Sequence, residues 1–324
     1  MKGNNDMKIA FIYDDQEDYF VTDKIEYADF CLKKEASLII HSLEKLGHIV
    51  KVIKGKSSLK KHINKITEFD LVFNKTEGFK SRNREGLVPA VMEMFGIPFI
   101  GTDAYGFSLS LNKYHTKLIA KDKGIITPKF LLIENEDDCQ NIHNIEFPII
   151  IKPNNEGSSM GCQVFRKLNN EVYTEIKRLL KKFKQPVLIE EYIDGIDISV
   201  PIIGTGNKAE CIGIVEFSNS DGSYPEIAST KFKYIDDYKT KILFRNENIL
   251  NKIKEDALKI YKALECKDYG RIDFRLSDDK PFFLEINPLP TLCINGAFNV
   301  CADNLGLGMI DIIDKIIKSA TYEK

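Results

Sequence analysis

Two short apolar segments near the end of the chain carry charged and amide side chains at alternating positions. Arg271 and Asp273 lie in the first segment, Glu285 and Asn287 lie in the second, and the polar loop 277–281 joins them. Apolar–polar alternation on both sides of such a loop predicts a β-hairpin. A register symmetric about the middle of the loop pairs Asp273 with Glu285. It also pairs Arg271 with Asn287, so that all four side chains share one face of the sheet. The other face then holds the apolar residues Ile272, Phe274, Leu284 and Ile286.

Two carboxylates that face each other across a hairpin repel. Their Cβ atoms are about 5 Å apart, and at an effective dielectric constant of about 20 the repulsion is roughly 3 kcal/mol. A divalent cation between Asp273 and Glu285 would turn this repulsion into binding energy. Together with the Asn287 amide oxygen, the carboxylates are hard ligands that suit magnesium bridged to phosphate oxygens. The alternative is that both acids point to solvent from an exposed sheet face.

A glycine- and serine-rich loop, Glu156–Gly161, follows a strongly apolar segment that ends at Lys152. Small residues let backbone N–H groups approach phosphate oxygens, and the serine hydroxyls add donors. The chain returns to a strand at 162–165 instead of opening a helix, which argues against a Walker-type loop. An ordinary hairpin loop remains the alternative. Lys152 itself is either a snorkelling side chain or an anion ligand.

Two further regions offer polar groups for a nucleotide. Lys113 directly precedes a predicted helix, and by itself it would be read as a solvated surface lysine. The segment 187–200 predicts two strands around Gly195. Glu190 and Asp197 in this segment could accept hydrogen bonds from adenine and ribose, and a solvated acidic turn is the alternative.

The bulk composition is typical of a globular enzyme and gives no reason to expect nucleic acid or membrane partners. The 324 residues include 46 Lys and Arg against 48 Asp and Glu, a formal net charge of -2, which provides no basic surface. No long apolar segment opens the chain, so we expect no signal peptide or membrane anchor. The seven cysteines are dispersed without a C-x-x-C pair, which favours a reducing cytoplasm.

The apolar pattern also predicts the elements that must position these side chains. Strands that alternate with helices are typical of a parallel α/β sheet. The predicted elements there are strands 8–13, 48–53, 70–74 and 98–100 and helices 24–46 and 86–95, the first helix ending at Gly47. Later we predict strands 130–133, 149–152, 162–165 and 187–190 and helices 171–184, 248–264 and 304–318. Short linkers predict three domains around a shared cleft, with limits 1–111, 112–200 and 201–324.

Taken in chain order, these segments resemble the ATP-grasp superfamily and, within it, the D-alanine–D-alanine ligase family. The resemblance runs from about Phe73 to Met309, and its most specific segments are Lys152–Gly161, Arg271–Phe274 and Leu284–Pro290. It implies a mixed α/β and α+β fold. The implied parts are an N-terminal parallel-sheet domain that binds substrates, a small central lid domain and a C-terminal antiparallel-sheet domain that binds metal.

The resemblance implies ATP and two Mg²⁺ ions, with Mn²⁺ as an alternative, and it assigns roles to individual residues. The metal ligands are Asp273, Glu285 and Asn287. The ATP-binding residues are Lys113, Lys152, Glu156, Gly157, Ser158, Ser159, Glu190, Glu191, Ile193, Asp197 and Lys231. Lys231 would lie on a mobile loop over the γ-phosphate. Arg271, which would stabilise the oxyanion of a tetrahedral intermediate, is implied as catalytic together with Lys231 and Ser159.

Departures from the family pattern concern the substrates and leave D-alanine specificity open. The loop 13–19 after the first strand lacks the family's glycine-rich pattern, and Phe232 stands where the family has tyrosine. Thr291 replaces a glycine, and Gly296 replaces a serine that grips the second substrate. The candidate substrate-binding residues are Glu17, Glu77, Arg84, Glu85, Thr291 and Gly296. Arg82 and Arg84 could equally be plain surface charges.

The implied activity is ATP-dependent, ADP-forming ligation of a carboxylate to an amine through an acyl-phosphate. The expected product is D-alanyl-D-alanine for peptidoglycan in the cell wall, made by a cytoplasmic homodimer from small amino-acid or peptide substrates. One alternative is a ligase of a specialised biosynthetic pathway, and another is a nucleotide-binding regulatory protein without turnover. The five histidines show no metal-binding spacing, which argues against a zinc hydrolase.

Overall fold

The computed structural model describes residues 6–14, 30–227 and 238–321. Glu17, Lys231, Phe232 and the segment 24–29 of the first predicted helix lie outside these ranges. The described strands are β1 Lys8–Tyr13, β2 Ile49–Lys54, β3 Leu71–Lys75, β4 Phe99–Ile100, β5 Phe130–Ile133, β6 Ile149–Pro153, β7 Gln163–Phe165, β8 Val187–Glu191, β9 Ile196–Ile203, β10 Glu210–Cys211, β11 Val215–Asn219, β12 Tyr238–Ile242, β13 Tyr269–Ser277 and β14 Lys280–Asn287. The described α-helices are α1 Lys33–Lys45, α2 Gly55–His62, α3 Leu87–Met94, α4 Ala104–Leu111, α5 Lys113–Asp122, α6 Asn170–Phe183, α7 Glu247–Ala263, α8 Ala297–Asn304 and α9 Met309–Thr321.

The first sheet has the strand order β2-β1-β3-β4 and is parallel throughout, as predicted. Its strand β1 is buried on both faces. Ile9 and Phe11 pack in the cluster that contains residues of α1 and α9, whereas Ala10 and Ile12 pack with Met92 of α3 on the other side. Burial on both faces explains why the strand reads as a continuous apolar run.

The central sheet has the order β5-β8-β6-β7 and is antiparallel. Helix α6 covers one face, where Ile176 packs in one cluster with Ile151 and Ile189. Because side chains alternate along a strand, the neighbours Lys152 and Glu190 point away from this cluster. They line the cleft between the central and the large sheet.

The large antiparallel sheet has the order β12-β11-β9-β13-β14, with β10 paired to β9. Helix α7 packs on one face, where Ile260 shares a core cluster with Ile272 and Phe274. The opposite face lines the cleft. Strand β9 begins at Ile196 and belongs to this sheet, so the passage from the central to the large sheet falls just before that residue. The three-domain division remains a prediction.

The predicted helix 304–318 is present as α9, but its predicted start is wrong, because α9 begins at Met309 and the preceding helix α8 ends at Asn304. Gly306 between them has a φ of 70°, which interrupts a right-handed helix. Helix α1 begins only at Lys33, since Leu32 is extended with a ψ of 148°. Among the described residues, no helix combines the length and the apolar character that a bilayer crossing needs.

Candidate active site

The hairpin of β13 and β14 carries the predicted carboxylate pair. Asp273 lies directly opposite Glu285, and Arg271 lies opposite Asn287. All four line the cleft, whereas Ile272 on the other face is fully buried. The predicted pairing and the shared face are confirmed.

Beyond this pair, the hairpin departs from the predicted symmetric register. Its turn consists of only Asp278 and Asp279, with φ values of 46° and 62°, the sign that a two-residue type I′ turn requires. The shorter turn pairs Phe274 with Phe283, and an extra residue, Leu284, forms a bulge that restores the Asp273–Glu285 pairing. The predicted burial of Leu284 is therefore wrong. Phe283 occupies the core instead, and Leu284 lines the cleft.

Each of the two carboxylates is paired with a cationic side chain in this structure. Arg271 donates from Nε and Nη2 to the two Asp273 oxygens, at 2.8 and 2.7 Å. The Asn287 amide donates to Asp273 Oδ2 at 2.7 Å. The ammonium of Lys113 lies 3.1 Å from Glu285 Oε2. These cations offset the repulsion that the sequence predicts between the acids.

The pKa of Glu285 is lowered to about 2, because the Lys113 and Lys152 ammonium groups outweigh the effect of burial, which raises it. A carboxyl group whose pKa is lower in the folded than in the unfolded state contributes stability above the unfolded value, and that contribution is lost as the pH falls toward the folded value. We therefore expect wild type to lose more free energy of unfolding than Glu285→Gln between about pH 5 and about pH 3. Urea unfolding at a series of pH values measures this, and parallel curves would contradict it.

The donor set at the hairpin suits Mg²⁺. Within the described ranges, no three His, Cys, Asp or Glu side chains converge on one point. The set is therefore two carboxylates and one amide, all hard oxygen donors. Mg²⁺ is bound in this manner by one or two carboxylates, with the remaining positions left to water and substrate phosphates.

A buried charge cluster lies beside the hairpin at the base of the central sheet. Glu190 is 1% exposed, and its two oxygens lie 2.7 Å from the ammonium groups of Lys117 and Lys152. The pKa of Glu190 is lowered, because these two lysines outweigh the effect of burial. Burial lowers the pKa of Lys117 to about 8. The carboxylate that the family resemblance assigns to adenine is thus engaged by two lysines here, and the adenine contact remains a prediction.

Lys117 is a site residue that the sequence reasoning missed. It is fully buried and also donates to the Phe283 carbonyl at 3.2 Å, which ties α5 to β14. The signal in the sequence is its spacing from Lys113. Residues four apart on a helix face the same side, so the two lysines of α5 point toward the cleft together.

The glycine- and serine-rich loop is held from two sides. Lys113 donates to the Glu156 carbonyl at 2.6 Å, and Arg84 donates to the Asn155 carbonyl at 2.6 Å. At Gly161 the φ is 71°, and a Cβ would come within 2.9 Å of Leu179. Only glycine fits this position without strain. The start of the loop is therefore held by Lys113 and Arg84, and its end at Gly161 is fixed by close packing against Leu179.

Arg275 organises the opposite end of the cleft and was also missed from the sequence. Its guanidinium lies 2.9 Å from Asp197 Oδ1 and donates to the Ile193 carbonyl at 3.1 Å. It follows Arg271 and Asp273 at the next alternate position of β13, and this period of two was the available signal. Glu191 nearby pairs with Lys129 at 3.1 Å.

One cleft with a volume of about 350 Å³ brings together the predicted site residues within the described ranges, except Arg84. Arg84 is buried against the glycine- and serine-rich loop instead. The residues that line the cleft are Glu77, Glu85, Lys113, Lys152, Glu156, Gly157, Ser158, Ser159, Glu190, Glu191, Ile193, Asp197, Arg271, Asp273, Glu285, Asn287, Thr291 and Gly296.

Comparisons with known proteins support the family resemblance described in the sequence analysis. The family model described as D-ala D-ala ligase C-terminus matches residues 119–318. A D-alanine–D-alanine ligase of Aquifex aeolicus is 31% identical over 285 residues, which cover 88% of this chain and 94% of that protein. The ATP-complexed D-alanine–D-alanine ligase of Bacillus anthracis superposes with a TM-score of 0.78 at 20% identity, covering 98% and 97% of the two chains. The VanG D-Ala:D-Ser ligase of Enterococcus faecalis gives 0.75 at 20% identity, covering 98% and 100%. The chain belongs to the D-alanine–D-alanine ligase family, whose members are ATP-dependent ligases with the ATP-grasp fold.

Proposed function

We propose that the chain joins the carboxylate of one amino acid to the amino group of a second amino acid or peptide, with conversion of ATP to ADP and phosphate. The observation that carries this proposal is the cleft-facing set of Asp273, Glu285 and Asn287, with Lys113 beside it. Oxygen ligands next to ammonium groups suit the cation-bound phosphates of ATP. Lys152 adds a second ammonium group at the same place.

In the proposed reaction, a carboxylate oxygen of the first substrate attacks the γ-phosphorus of ATP. The bond to ADP breaks, and an acyl-phosphate forms. Lys113 and Lys152 neutralise charge on the phosphate oxygens during this step. The amine of the second substrate then attacks the acyl carbon, inorganic phosphate leaves, and the nitrogen loses a proton.

The side chains of β13 and β14 have separate proposed roles. Asp273, Glu285 and Asn287 would hold two Mg²⁺ ions, which supply positive charge at the phosphate oxygens when bound. Arg271, fixed in orientation by its paired hydrogen bonds to Asp273, would stabilise the oxyanion of the tetrahedral intermediate. The roles assigned to Ser159 and Lys231 are carried over from the family resemblance.

D-Alanine is the first substrate to test at both positions. The relatives named above include one enzyme described as a D-Ala:D-Ser ligase, so the second substrate can differ within this fold. Thr291, a candidate substrate-binding residue, lines the cleft, but its hydroxyl donates to Glu35 at 2.9 Å. The backbone of this loop is therefore the available partner for a substrate carboxylate, and a specialised dipeptide is the alternative product.

The test is a phosphate-release screen over pairs of D- and L-amino acids with magnesium and ATP, followed by mass measurement of the product. We expect release of ADP and phosphate with at least one pair, and a product mass equal to the two amino acids less one water. Release with D-alanine alone would identify the dipeptide. No release with any pair would favour a binding protein without turnover and would contradict the proposal.

Two further expectations belong to the same proposal. The family resemblance suggests a homodimer, which sedimentation equilibrium would test. The dispersed cysteines, which are all free in this structure, suit a reducing cytoplasm. Fractionation of the source cells would test that location.

A further inference from the structure

A buried ion pair lines the cleft next to Thr291, apart from the residues already assigned to ATP or metal. Lys75, the last residue of β3, places its ammonium 3.2 Å from Oε1 of Glu35 in the first turn of α1. The two residues are 2% and 3% exposed. Both belong to the layer formed by the first sheet and its helices, and both reach the wall of the cleft.

The pair holds one short loop of the C-terminal part of the chain. Lys75 donates to the Pro290 carbonyl at 2.8 Å and approaches the Leu289 carbonyl at 3.5 Å. Glu35 accepts from the Leu292 amide at 2.7 Å and from the Thr291 hydroxyl at 2.9 Å. Four consecutive residues, 289–292, are thus bound through backbone or hydroxyl groups by two charged side chains.

Stability alone gives little reason for such an arrangement. Replacing a buried ion pair by well-packed apolar residues is often neutral or stabilising, because desolvation offsets the attraction between the charges. What the pair adds is direction, since a carboxylate and an ammonium fix the orientation of the polar groups that they bind. The loop 289–292 begins two residues after Asn287 and leads to Gly296, and both of those residues line the cleft.

We propose that Glu35 and Lys75 are positioning residues that fix the backbone of loop 289–292 for binding of the amino-acid substrates. This inference rests on the proposed function. The residues proposed to bind ATP, among them Lys113, Lys152 and Asp197, belong to other elements, so we expect ATP affinity to be independent of the pair. Docking of the first layer against this loop is then a requirement for substrate binding, although neither charged group reacts.

The kinetic test compares Lys75→Met and Glu35→Gln with the exposed control Glu44→Gln, which lies on the same helix as Glu35. We expect each pair variant to raise the KM for the amino-acid substrate at least about tenfold, with the Kd for ATP changed less than about twofold. The double variant should be no worse than the poorer single variant, because the two residues act as one unit. An unchanged KM, or an equal loss of ATP affinity, would overturn the proposal.

A second measurement does not depend on turnover. Hydrogen exchange of the protein without substrates reports the Leu292 amide, whose hydrogen is bound by Glu35. Glu35→Gln should speed exchange in the peptide that covers 289–296 and leave the peptide that covers 156–161 unchanged. If wild type shows no ligase activity but this exchange pattern holds, the proposed function fails and the positioning role survives. If exchange in both peptides is unchanged, the positioning role fails.

A milder variant covers the case in which Lys75→Met does not fold. Thr291→Val keeps the shape of the side chain and removes only the hydroxyl that donates to Glu35. We expect a rise of about threefold in the KM for the amino acid, smaller than in the pair variants, because only one hydrogen bond is lost and Glu35 keeps its bond to the Leu292 amide. A lower melting temperature with an unchanged KM would show a structural role only and would also overturn the proposal.

Discussion

Glu285→Gln is expected to lower turnover roughly a thousandfold, because the proposed Mg²⁺ site that this carboxylate would form supplies several kcal/mol of charge stabilisation at the phosphate oxygens. The amide keeps the shape of the side chain but removes the charge opposite Asp273 and the partner of Lys113. The fold should be retained, since the Glu285 side chain is 29% exposed at the wall of the cleft. ADP release at saturating substrates measures the effect, and circular dichroism checks the fold.

Asp279→Asn is the matched control for this variant. It makes the same change from carboxylate to amide on the same hairpin, at a side chain that is 55% exposed in the turn. Asparagine tolerates the positive φ of this position, so turnover should stay within about twofold of wild type. Turnover of Glu285→Gln that equals that of the control would contradict the assignment of Glu285 as a metal ligand.

Arg271→Lys is expected to lower kcat at least about a hundredfold, with little change in ATP affinity. Lysine keeps the charge but cannot reproduce the paired hydrogen bonds by which the guanidinium is aligned on Asp273. Loss of one donor to a developing oxyanion typically costs on the order of a hundredfold to a thousandfold in kcat. Steady-state kinetics together with equilibrium ATP binding separate the two quantities.

Arg178→Lys offers a control with nearly the same local geometry. Arg178 also makes two hydrogen bonds to one carboxylate, Glu175, at 2.6 Å each, but its side chain is 47% exposed on α6 and does not line the cleft. The kcat of Arg178→Lys should match that of wild type. If Arg271→Lys also keeps its kcat, the oxyanion role of Arg271 is wrong.

The candidate site was predictable where a simple period determined it. Alternation along β13 and β14 placed Asp273 and Glu285 on one face, and the same alternation accounts for Arg275. The turn was harder, because Asp278 and Asp279 lack the glycine that usually marks a two-residue hairpin turn. Without that mark, the register beyond the carboxylates and the position of Leu284 were wrong.

Contacts between segments that are distant in sequence could not be predicted from the apolar–polar pattern. Lys75 and Pro290 are 215 residues apart in sequence. No periodic pattern predicts a contact between the end of a strand in the parallel sheet and a loop that follows a strand of the large sheet. Lys117 looked like one of many helix lysines, since burial of a charged side chain depends on partners from other elements. The parallel sheet was easier to predict, because a strand that is buried on both faces has a continuous apolar sequence, as β1 does.

The extra residue in β14, Leu284, gives the cleft an apolar side chain that can be changed independently of the paired acids Asp273 and Glu285. Phe274 pairs with Phe283, and Asp273 pairs with Glu285, on either side of Leu284. If Leu284 were deleted, Phe283 and Glu285 would become neighbours in β14. Phe283 would still pair with Phe274 on the core face, and Glu285 would still pair with Asp273 on the cleft face. We expect such a shortened strand to keep its carboxylates and its core while losing one hydrophobic surface, so that insertion and deletion here can alter ligand preference without disturbing the chemistry.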